Sequence, residues 1–318
     1  MAGDLLLTTL SVLSKIGLPG SPWPLRSVSM KANSTNVLRS LVLFGALLIA
    51  FPDAQLRAAP PPGLDLGVNN NFAFVDLGAT TLGWNSGPIA GSVLFGLGLD
   101  ANLSGGNNGG LTNGGQLFHD STTNISGALQ NPVTQVLVPD SFTQNAATIA
   151  QNVSNFASSL AATQTFTTIN STTTITGNGG LNVIDVANIQ NAKLTLSGTA
   201  NDFFLFNVSN AIQTNQPMTL SGVSPANILF NLTGTGTVFQ TSGGDLSFGT
   251  YLATNGGAFQ FSNLNLTGRL INVGGDVQFV SGSMIPAIPE PGTFALFGIG
   301  AIALACAVKE SRRREFRG

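Results

Sequence analysis

The sequence predicts a mainly β protein in which a parallel β-solenoid carries one amphipathic α-helix along its flank. Three observations favour this architecture. A short strand motif recurs at intervals in the low twenties, one stretch shows helical spacing of its apolar residues, and the region between two apolar terminal segments contains no cysteine. A strand unit of that length buries its apolar side by stacking on the next unit.

The N-terminal region reads as an export signal that starts at an internal methionine. Residues 1–29 fit neither a signal nor a domain, so we expect them to be a mis-assigned extension or disordered, with translation starting at Met30. Residues 30–59 have the three parts of a secretory signal peptide: Lys31 and Arg39, an apolar run over residues 41–51, and small residues up to Ala59. Residues 60–71 begin with three prolines and are expected to form a stiff linker.

The last segment, residues 286–318, combines a Pro-Glu-Pro tripeptide, an apolar run over residues 292–308 and an arginine cluster. A helix of those 17 residues is about 25 Å long, near the lower limit for crossing a bilayer. The basic cluster behind it would stay in the cytoplasm. The residues that define the pattern are Pro289, Glu290, Pro291, Arg312, Arg313 and Arg314.

This order of tripeptide, helix and arginines resembles the PEP-CTERM sorting signal of exported bacterial proteins. The resemblance implies an exosortase-type sorting protease and the cytoplasmic membrane as partners of the tail. It also implies that the protein is exported, anchored in the inner membrane before processing, and afterwards located at the cell surface or outside the cell.

The region between the terminal segments is poor in charge. It holds nine aspartates, no glutamate and only two basic residues, Lys193 and Arg269, which gives a net charge near −7. A protein that binds nucleic acid needs Lys and Arg to displace phosphate counterions, so we expect no nucleic-acid partner. The only cysteine, Cys306, lies in the tail, so the exported domain is stabilised without disulfides.

One stretch within the predicted passenger domain, residues 72–285, has helical periodicity. Its apolar residues follow at spacings of three and four, which places them on one face of a helix over residues 140–162. These residues are Phe142, Ala146, Ile149, Val153, Phe156 and Leu160. The opposite face is polar, so we expect the helix to pack along the flank of a larger structure.

After the helix, short strand-like runs alternate with turns. A motif of apolar and hydroxyl residues closed by glycine occurs at residues 194–198, 218–222, 246–249 and 264–268, with gaps of 24, 27 and 19 residues between the glycines. A period in the low twenties indicates the coils of a β-solenoid. A jelly roll or sandwich, which would have similar strands without a period, is the alternative.

The order of several segments adds a resemblance to the passenger. Residues 72–75, 87–91, 203–208, 227–232, 249–253 and 268–271 resemble the bacterial ice-binding-like fold, and the later ones are similar to choice-of-anchor A surface proteins. The resemblance implies a right-handed β-solenoid flanked by one long helix.

Candidate catalytic groups are scarce. His119 stands beside Asp120 and Ser121, but neighbours in sequence seldom converge as a triad does. With one histidine and no cysteine in the passenger, a zinc site is not expected. We therefore expect no enzyme activity, no metal and no cofactor. Polysaccharide cleavage by an aspartate pair is the alternative, and it requires two carboxylates about 5–10 Å apart in an open groove.

Threonine density suggests one ligand surface. Alternate threonines on a strand would line up on one side of a sheet, where they could order water. The candidate ice-binding residues are Thr165, Thr167, Thr172, Thr174 and Thr176. Taken together, the sequence favours an exported cell-surface or extracellular-matrix protein with a structural or binding role, associated with exopolysaccharide or biofilm, and ice binding is the first alternative.

Overall fold

The computed structural model describes residues 60–103, 110–127, 129, 133–243 and 246–280. The predicted extension, signal peptide, sorting tail and membrane helix lie outside these residues, as does Asp245. The described residues all belong to one compact unit.

Twenty-one short strands and one long helix lie in the described residues. The helix, α1, spans Asp140–Ser159, and two 3₁₀ turns span Gly67–Asn71 and Pro225–Asn227. The strands are β1 Phe74–Leu77, β2 Thr81–Trp84, β3 Pro88–Ala90, β4 Val93–Gly96, β5 Asp100–Leu103, β6 Gly110–Thr112, β7 Leu117–His119, β8 Asn124–Gly127, β9 Gln135–Leu137, β10 Gln164–Ile169, β11 Thr173–Thr176, β12 Leu181–Gln190, β13 Leu194–Ser197, β14 Phe203–Thr214, β15 Thr219–Ser221, β16 Ile228–Leu232, β17 Gly236–Thr241, β18 Leu246–Ala253, β19 Gly257–Ser262, β20 Asn265–Val273 and β21 Val277–Val280.

All pairings between these strands are parallel, and they build a solenoid with three faces. Face A runs in the order β10, β12, β14, β16, β18, β20, β1, β4, β7, β9. Face B holds the last residues of β12 and β14, followed by β17, β19, β21, β2, β5 and β8. Face C holds β11, β13 and β15 in one sheet and β3 and β6 in another. The predicted solenoid is therefore confirmed.

The chain enters the solenoid in the middle of the stack. β1 pairs with β4 on one side and with β20 on the other, so that Phe74 lies between Val93 and Leu270. The first coils wind from β1 to β9 at one end. The helix follows, and β10 begins at the other end, from which the later coils return until β20 meets β1. Two blocks of coils thus join through a pairing between distant parts of the chain.

The predicted motif marks equivalent positions in two pairs of coils, because residues 195–197 pair with 219–221 and residues 246–249 pair with 265–268. The second and third occurrences lie in different sheets and do not pair. The coils also differ in length: Leu181 pairs with Phe203, 22 residues later, and the next coils are offset by 24 and 21 residues. Gly268 stacks directly on Gly249, whose φ is 100°, and a Cβ at Gly268 would collide with the Gly249 carbonyl. Glycine closes the motif here because the backbones approach too closely for a side chain.

Apolar side chains fill the interior of the coils. Phe206, Phe230 and Tyr251 occupy the same register position in three successive coils, with ring centroids 4.7 and 4.6 Å apart and nearly parallel planes. Phe239 from face B stacks on Tyr251 at 4.1 Å. Burial raises the pKa of Tyr251, although a hydrogen bond with Ser247 acts to lower it. This aromatic ladder fixes the coils in register.

The helix packs on face A with a face that shares Ala146 and Val153 with the predicted one but is otherwise rotated away from it. Its buried residues are Thr143, Ala146, Ala150, Val153, Ser154 and Ala157. Phe156, predicted to point inward, is 39% exposed, and Phe142 and Ile149 are only partly buried. Small residues face the sheet because they let the helix approach it closely. The helix also ends three residues earlier than predicted, at Ser159, because Leu160 already has an extended backbone.

The segment predicted as a linker packs against this helix. Leu64 and Leu66 are buried, and the Asn69 side-chain amide donates a hydrogen bond to the Ala146 carbonyl at 2.9 Å. The ring of Phe156 lies against Gly63. The segment from residue 64 onward is therefore part of the folded domain, because its leucines cover the larger apolar residues of the helix.

Candidate functional site

Face A is not available to a ligand where the helix covers it. Outward side chains from its strands form one apolar cluster with α1 and the N-terminal segment. A polar contact reinforces this packing: Ser154 Oγ donates to Asn231 Oδ1 at 2.7 Å, and Asn231 Nδ2 donates to the Ser154 carbonyl at 3.1 Å. The faces that remain open to a ligand are therefore B and C.

Face B carries a row of glutamines. Five successive coils place a glutamine at the same register position, because each pairs with the glutamine of the next strand. We call this set the glutamine row; its members are Gln190, Gln213, Gln240, Gln260 and Gln278. Parallel strands lie about 4.8 Å apart, so the row is about 19 Å long.

The glutamine row is exposed and unpaired, and the strand segments that carry it hold no charged residue. All five side chains are exposed, and within the described part of the chain no group hydrogen-bonds to their carboxamides. Residues 188–190, 211–214, 236–241, 257–262 and 277–280 contain no charged residue. Each carboxamide therefore presents both a donor and an acceptor to solvent.

In the first coils, other residues replace glutamine at this register position. Gly83, Asn102 and Ser126 continue the same register position on β2, β5 and β8. Asp100 and Asp276 flank this part of face B, where Asp100 accepts a hydrogen bond from Asn124 and Asp276 from Thr81. The neutral amide surface is thus confined to the five glutamine-bearing strands.

Face C carries a smaller hydroxyl patch. Thr174 pairs with Thr195, which pairs with Thr219, and a second row two residues on completes the set. We call these six residues the hydroxyl patch: Thr174, Thr176, Thr195, Ser197, Thr219 and Ser221. The inward residues between the rows, such as Leu196, are apolar, so the hydroxyls all face outward.

The predicted ice-binding residues are only partly brought together. Thr174 and Thr176 lie on β11 in the hydroxyl patch. Thr165 and Thr167 are exposed on β10, which belongs to a different sheet, and Thr172 lies in the connection before β11. The surface that the structure forms around Thr174 extends across three strands and not along one sequence run.

The aspartates that a hydrolase would need are engaged in turns or buried. Asp202 is 1% exposed and accepts hydrogen bonds from Gly179, Asn182 and Thr199. Burial opposes its ionisation, but these bonds outweigh burial and lower its pKa. Asp76 is fully buried, and neither of its carboxylate oxygens has a hydrogen-bond partner in the described residues.

Asp120 joins the first coils to the helix. Its carboxylate accepts bonds from the Leu97 and Thr123 amides and from the hydroxyls of Thr143 on α1 and Thr122. Burial alone would raise its pKa, but these bonds lower the pKa to about 2. The neighbouring His119 ring bonds to the Asp120 carbonyl through Nδ1 at 3.0 Å. Asp120 is therefore placed as a structural acceptor.

Two properties of the described residues concern metal binding and membrane crossing. No group of three or more His, Cys, Asp or Glu side chains lies close enough to hold a metal ion there. Within the same residues no helix is long and apolar enough to cross a membrane, and the helix predicted at 292–308 lies outside them.

The tail matches a known sorting signal. Residues 287–313 match the PEP-CTERM protein-sorting motif. The chain carries a PEP-CTERM sorting signal. This motif implies exosortase-mediated sorting, export, and membrane anchoring through the C-terminal tail. The matched residues include Pro289, Glu290, Pro291, Arg312 and Arg313 of the predicted pattern, and Arg314 follows directly.

Solved structures share the fold of the passenger. A glycosylated ice-binding protein from an Arctic yeast superimposes with a TM-score of 0.51 at 16% identity, over 73% of this chain and 98% of that one. An ice-binding protein from the Antarctic ascomycete Antarctomyces psychrotrophicus gives 0.49 at 14% identity, over 72% and 100%. The DUF3494 domain of a Shewanella frigidimarina ice-binding protein gives 0.47 at 16% identity, over 72% and 99%. Among curated protein sequences, none matches the chain. The likeness to the yeast protein shows the fold of the PEP-CTERM passenger.

The glutamine row was not predicted from the sequence, although the sequence contains a signal for it. Each glutamine directly follows a buried apolar residue, as in Ile189-Gln190 and Phe239-Gln240. The glutamines are separated by 23, 27, 20 and 18 residues, because the turns between strands differ in length. Only the register of the strands aligns them.

Proposed function

We propose that the protein is an exported surface or matrix protein that binds neutral polysaccharide through the glutamine row. The observation that carries the proposal is the alignment of five exposed, unpaired carboxamides on successive coils. The sorting signal supports the location, because it implies delivery to the cell envelope, where polysaccharide is exposed.

The chemistry of the row favours a neutral glycan. Carboxamides match the paired donor and acceptor character of sugar hydroxyls, and the absence of charge on these strands gives no preference for an ionic polymer. A repeating row matches a repeating chain, so weak contacts add up along it. Among the described residues the exposed large apolar side chains are Leu137, Phe156 and Val280, so stacking on sugar rings contributes little and single sites are weak.

The sequence also leads us to propose that the protein is not an enzyme. Asp76 and Asp202 are buried, and the exposed Asp140 accepts bonds from Ser121 at the start of the helix. Carboxylates held in this way are unsuited to deliver a proton to a bulky substrate.

The proposal is tested with the full chain by its retardation in gels that contain a neutral polysaccharide. Changing Gln213, Gln240 and Gln260 to alanine should weaken binding at least about tenfold, since each lost hydrogen bond is worth about 0.5–1.5 kcal/mol. The matched control changes Thr174, Thr195 and Thr219 to alanine and should bind as the wild type does. Equal retardation of all three proteins would refute the proposal.

Ice binding is the second candidate function, and the hydroxyl patch favours it. The structures that share this fold carry the name of ice-binding proteins. Threonine is stiff at χ1, so in-register rows of threonine present hydroxyls and methyls at fixed positions. Glutamine is a poor substitute, because fixing its long side chain costs about 1.5–2 kcal/mol of entropy. The patch spans three strands, a small surface for adsorption to a crystal.

The same two triple variants separate the candidates. If ice is the ligand, the wild-type chain inhibits ice recrystallisation, the threonine-to-alanine variant loses that activity and the glutamine-to-alanine variant keeps it. Absence of inhibition by the wild type at high concentration would exclude ice binding and leave the polysaccharide proposal untouched.

A further inference from the structure

The solenoid ends at β10, which is an open edge strand. It pairs with β12 on one side, and in the described ranges no strand pairs with its other side. We propose that this edge pairs antiparallel with β10 of a second copy of the chain, about a two-fold axis, to form a closed dimer. This inference is independent of the ligand proposed for the glutamine row.

The edge lacks the features that normally prevent such pairing. Natural edge strands are protected by lysine, proline, bulges or very short length. Residues 161–176 contain no charged residue and no proline, and most are Thr or Ile, which favour strands. The pairing with β12 keeps one offset on both sides of Thr167, which itself has no paired partner, and the edge extends over the six residues from Gln164 to Ile169.

The opposite end of the solenoid is protected, which favours a closed pair. Its edge strands β8 and β9 have only four and three residues. Two residues after β9 comes Pro139, the N-cap of the helix. A head-to-tail contact between unlike ends would generate a fibre, whereas a contact between like ends closes after two copies. Among the described strands at the ends of the solenoid, β10 is the longest open edge, which favours a dimer of like ends.

Symmetry fixes the register of the proposed pair. Residues opposite each other in an antiparallel pair must both direct their backbone groups toward the partner or both away from it. Since these directions alternate along a strand, the two-fold axis must pass through a residue. Axes through Phe166 and through Thr167 give the same overlap of β10 with its copy, and we place the axis at Phe166 because its partly buried ring is then covered by its own copy. Thr165 then lies opposite Thr167 of the second copy.

Side chains near this axis suit self-pairing. Thr165 and Thr167 are exposed and uncharged, and opposed threonines on neighbouring strands are favourable. Phe166 is only partly buried in one chain and would be covered by its own copy. The alternate backbone groups of six residues give about six hydrogen bonds. The contact is small, so it depends on the high local concentration that a membrane anchor provides.

Disulfide trapping in cells tests the register. The only native cysteine is replaced by Cys306→Ala, and Thr165→Cys and Thr167→Cys are introduced into separate full-length chains with different tags. When both are produced in one exporting host, a disulfide-linked dimer with both tags is expected. Either variant alone should give at least tenfold less, because like residues are then displaced along the pair beyond disulfide reach.

The control pair is Gln213→Cys with Gln240→Cys, which lie on central strands. Resistance of each exported chain to protease establishes that it is folded. A mixed dimer in large excess over the single variants and the control pair supports the proposal. Equal cross-linking in all of them, or none in folded Thr165→Cys and Thr167→Cys chains, would overturn it.

A second measurement does not depend on cysteine. Light scattering of the full chain in mild detergent, at protein concentrations raised until two chains share a micelle, should show a dimer for the wild type and a monomer for Thr167→Lys, since lysine on an edge blocks pairing. Gln213→Lys adds the same charge on a central strand and should leave the dimer intact. A monomeric wild type, or loss of the dimer in both variants, contradicts edge pairing.

Discussion

Two buried aspartates affect the stability of this charge-poor domain in opposite directions: Asp120 raises it and Asp76 lowers it. Asp120 has several donors for its buried carboxylate, whereas Asp76 has none in the described residues. The sequence shows both as aspartates in similar settings, near the end of an apolar strand. Their roles could not be predicted, because the donors to Asp120 come from the residue after β4, a turn and the helix.

Replacing Asp120 with asparagine should destabilise the protein by about 2–4 kcal/mol, because an amide donor would then face groups that also donate. The lowered pKa, about 2 against about 3.9 in the unfolded chain, gives the sign of the pH dependence. The wild type gains this stability above pH 4 and loses it as the pH falls toward 2. Thermal unfolding of both proteins between pH 2 and 6 measures the effect.

Asp100→Asn is the control, since Asp100 is exposed and accepts a single side-chain bond from Asn124. It should change stability by less than about 0.5 kcal/mol. Equal effects of the two changes would mean that Asp120 does not hold the first coils to the helix.

Asp76→Asn should have the opposite effect. Burial raises the pKa of Asp76, and the negative charge of Asp276 raises it further. Between the unfolded and folded pKa the native protein keeps a proton that the unfolded chain has released, so stability falls as pH rises through this window. The variant should therefore exceed the wild type by about 1–3 kcal/mol at pH 7 and approach it near pH 4. An advantage that grows toward acid pH would contradict this assignment.

At the scale of elements, the sequence pattern predicted where the helix begins but not most of the residues that it buries. The spacing of apolar residues predicted a helix beginning at residue 140, and α1 begins there. The pattern identified Ala146 and Val153 but missed the other residues that face the sheet, because alanine and serine are small enough for close packing and carry little hydrophobic signal. Ala150 and Ser154 were on no predicted face, yet both are buried.

Ala150→Leu tests the observed face of the helix. Its side chain lies against face A with no exposed area, so the added volume should cost about 1–3 kcal/mol through overpacking. If the helix packed through the face predicted from the sequence, Ala150 would lie away from the sheet and its change to leucine would be tolerated. Asn152→Leu, at an exposed position of the same helix, is the control for the change in residue type. If chemical denaturation gives the two variants equal stability, the helix packs through the face predicted from the sequence.

At the scale of the whole molecule, the period of the strand motif predicted a solenoid, and the solenoid is confirmed. The order of the coils could not be predicted. The pairing of β1 with β20 joins residues almost 200 positions apart, and no local pattern marks Phe74 as the partner of Leu270. The glutamine row was missed for the same reason, since residues with no constant spacing become neighbours only when the strands are in register.

The central claim is that the displayed protein is held in the cell-surface matrix by contacts between the glutamine row and neutral polysaccharide. The most direct measurement is the fraction of exported protein that is retained on intact cells of a polysaccharide-producing host, counted for protein whose membrane anchor has been removed by processing. Wild-type protein should be retained and should be released by neutral oligosaccharide but not by high salt, because charge plays no part in the contact. The Gln213→Ala, Gln240→Ala, Gln260→Ala variant should appear mostly in the medium. Retention of that variant at the wild-type level, or release of the wild type by salt alone, would contradict the claim.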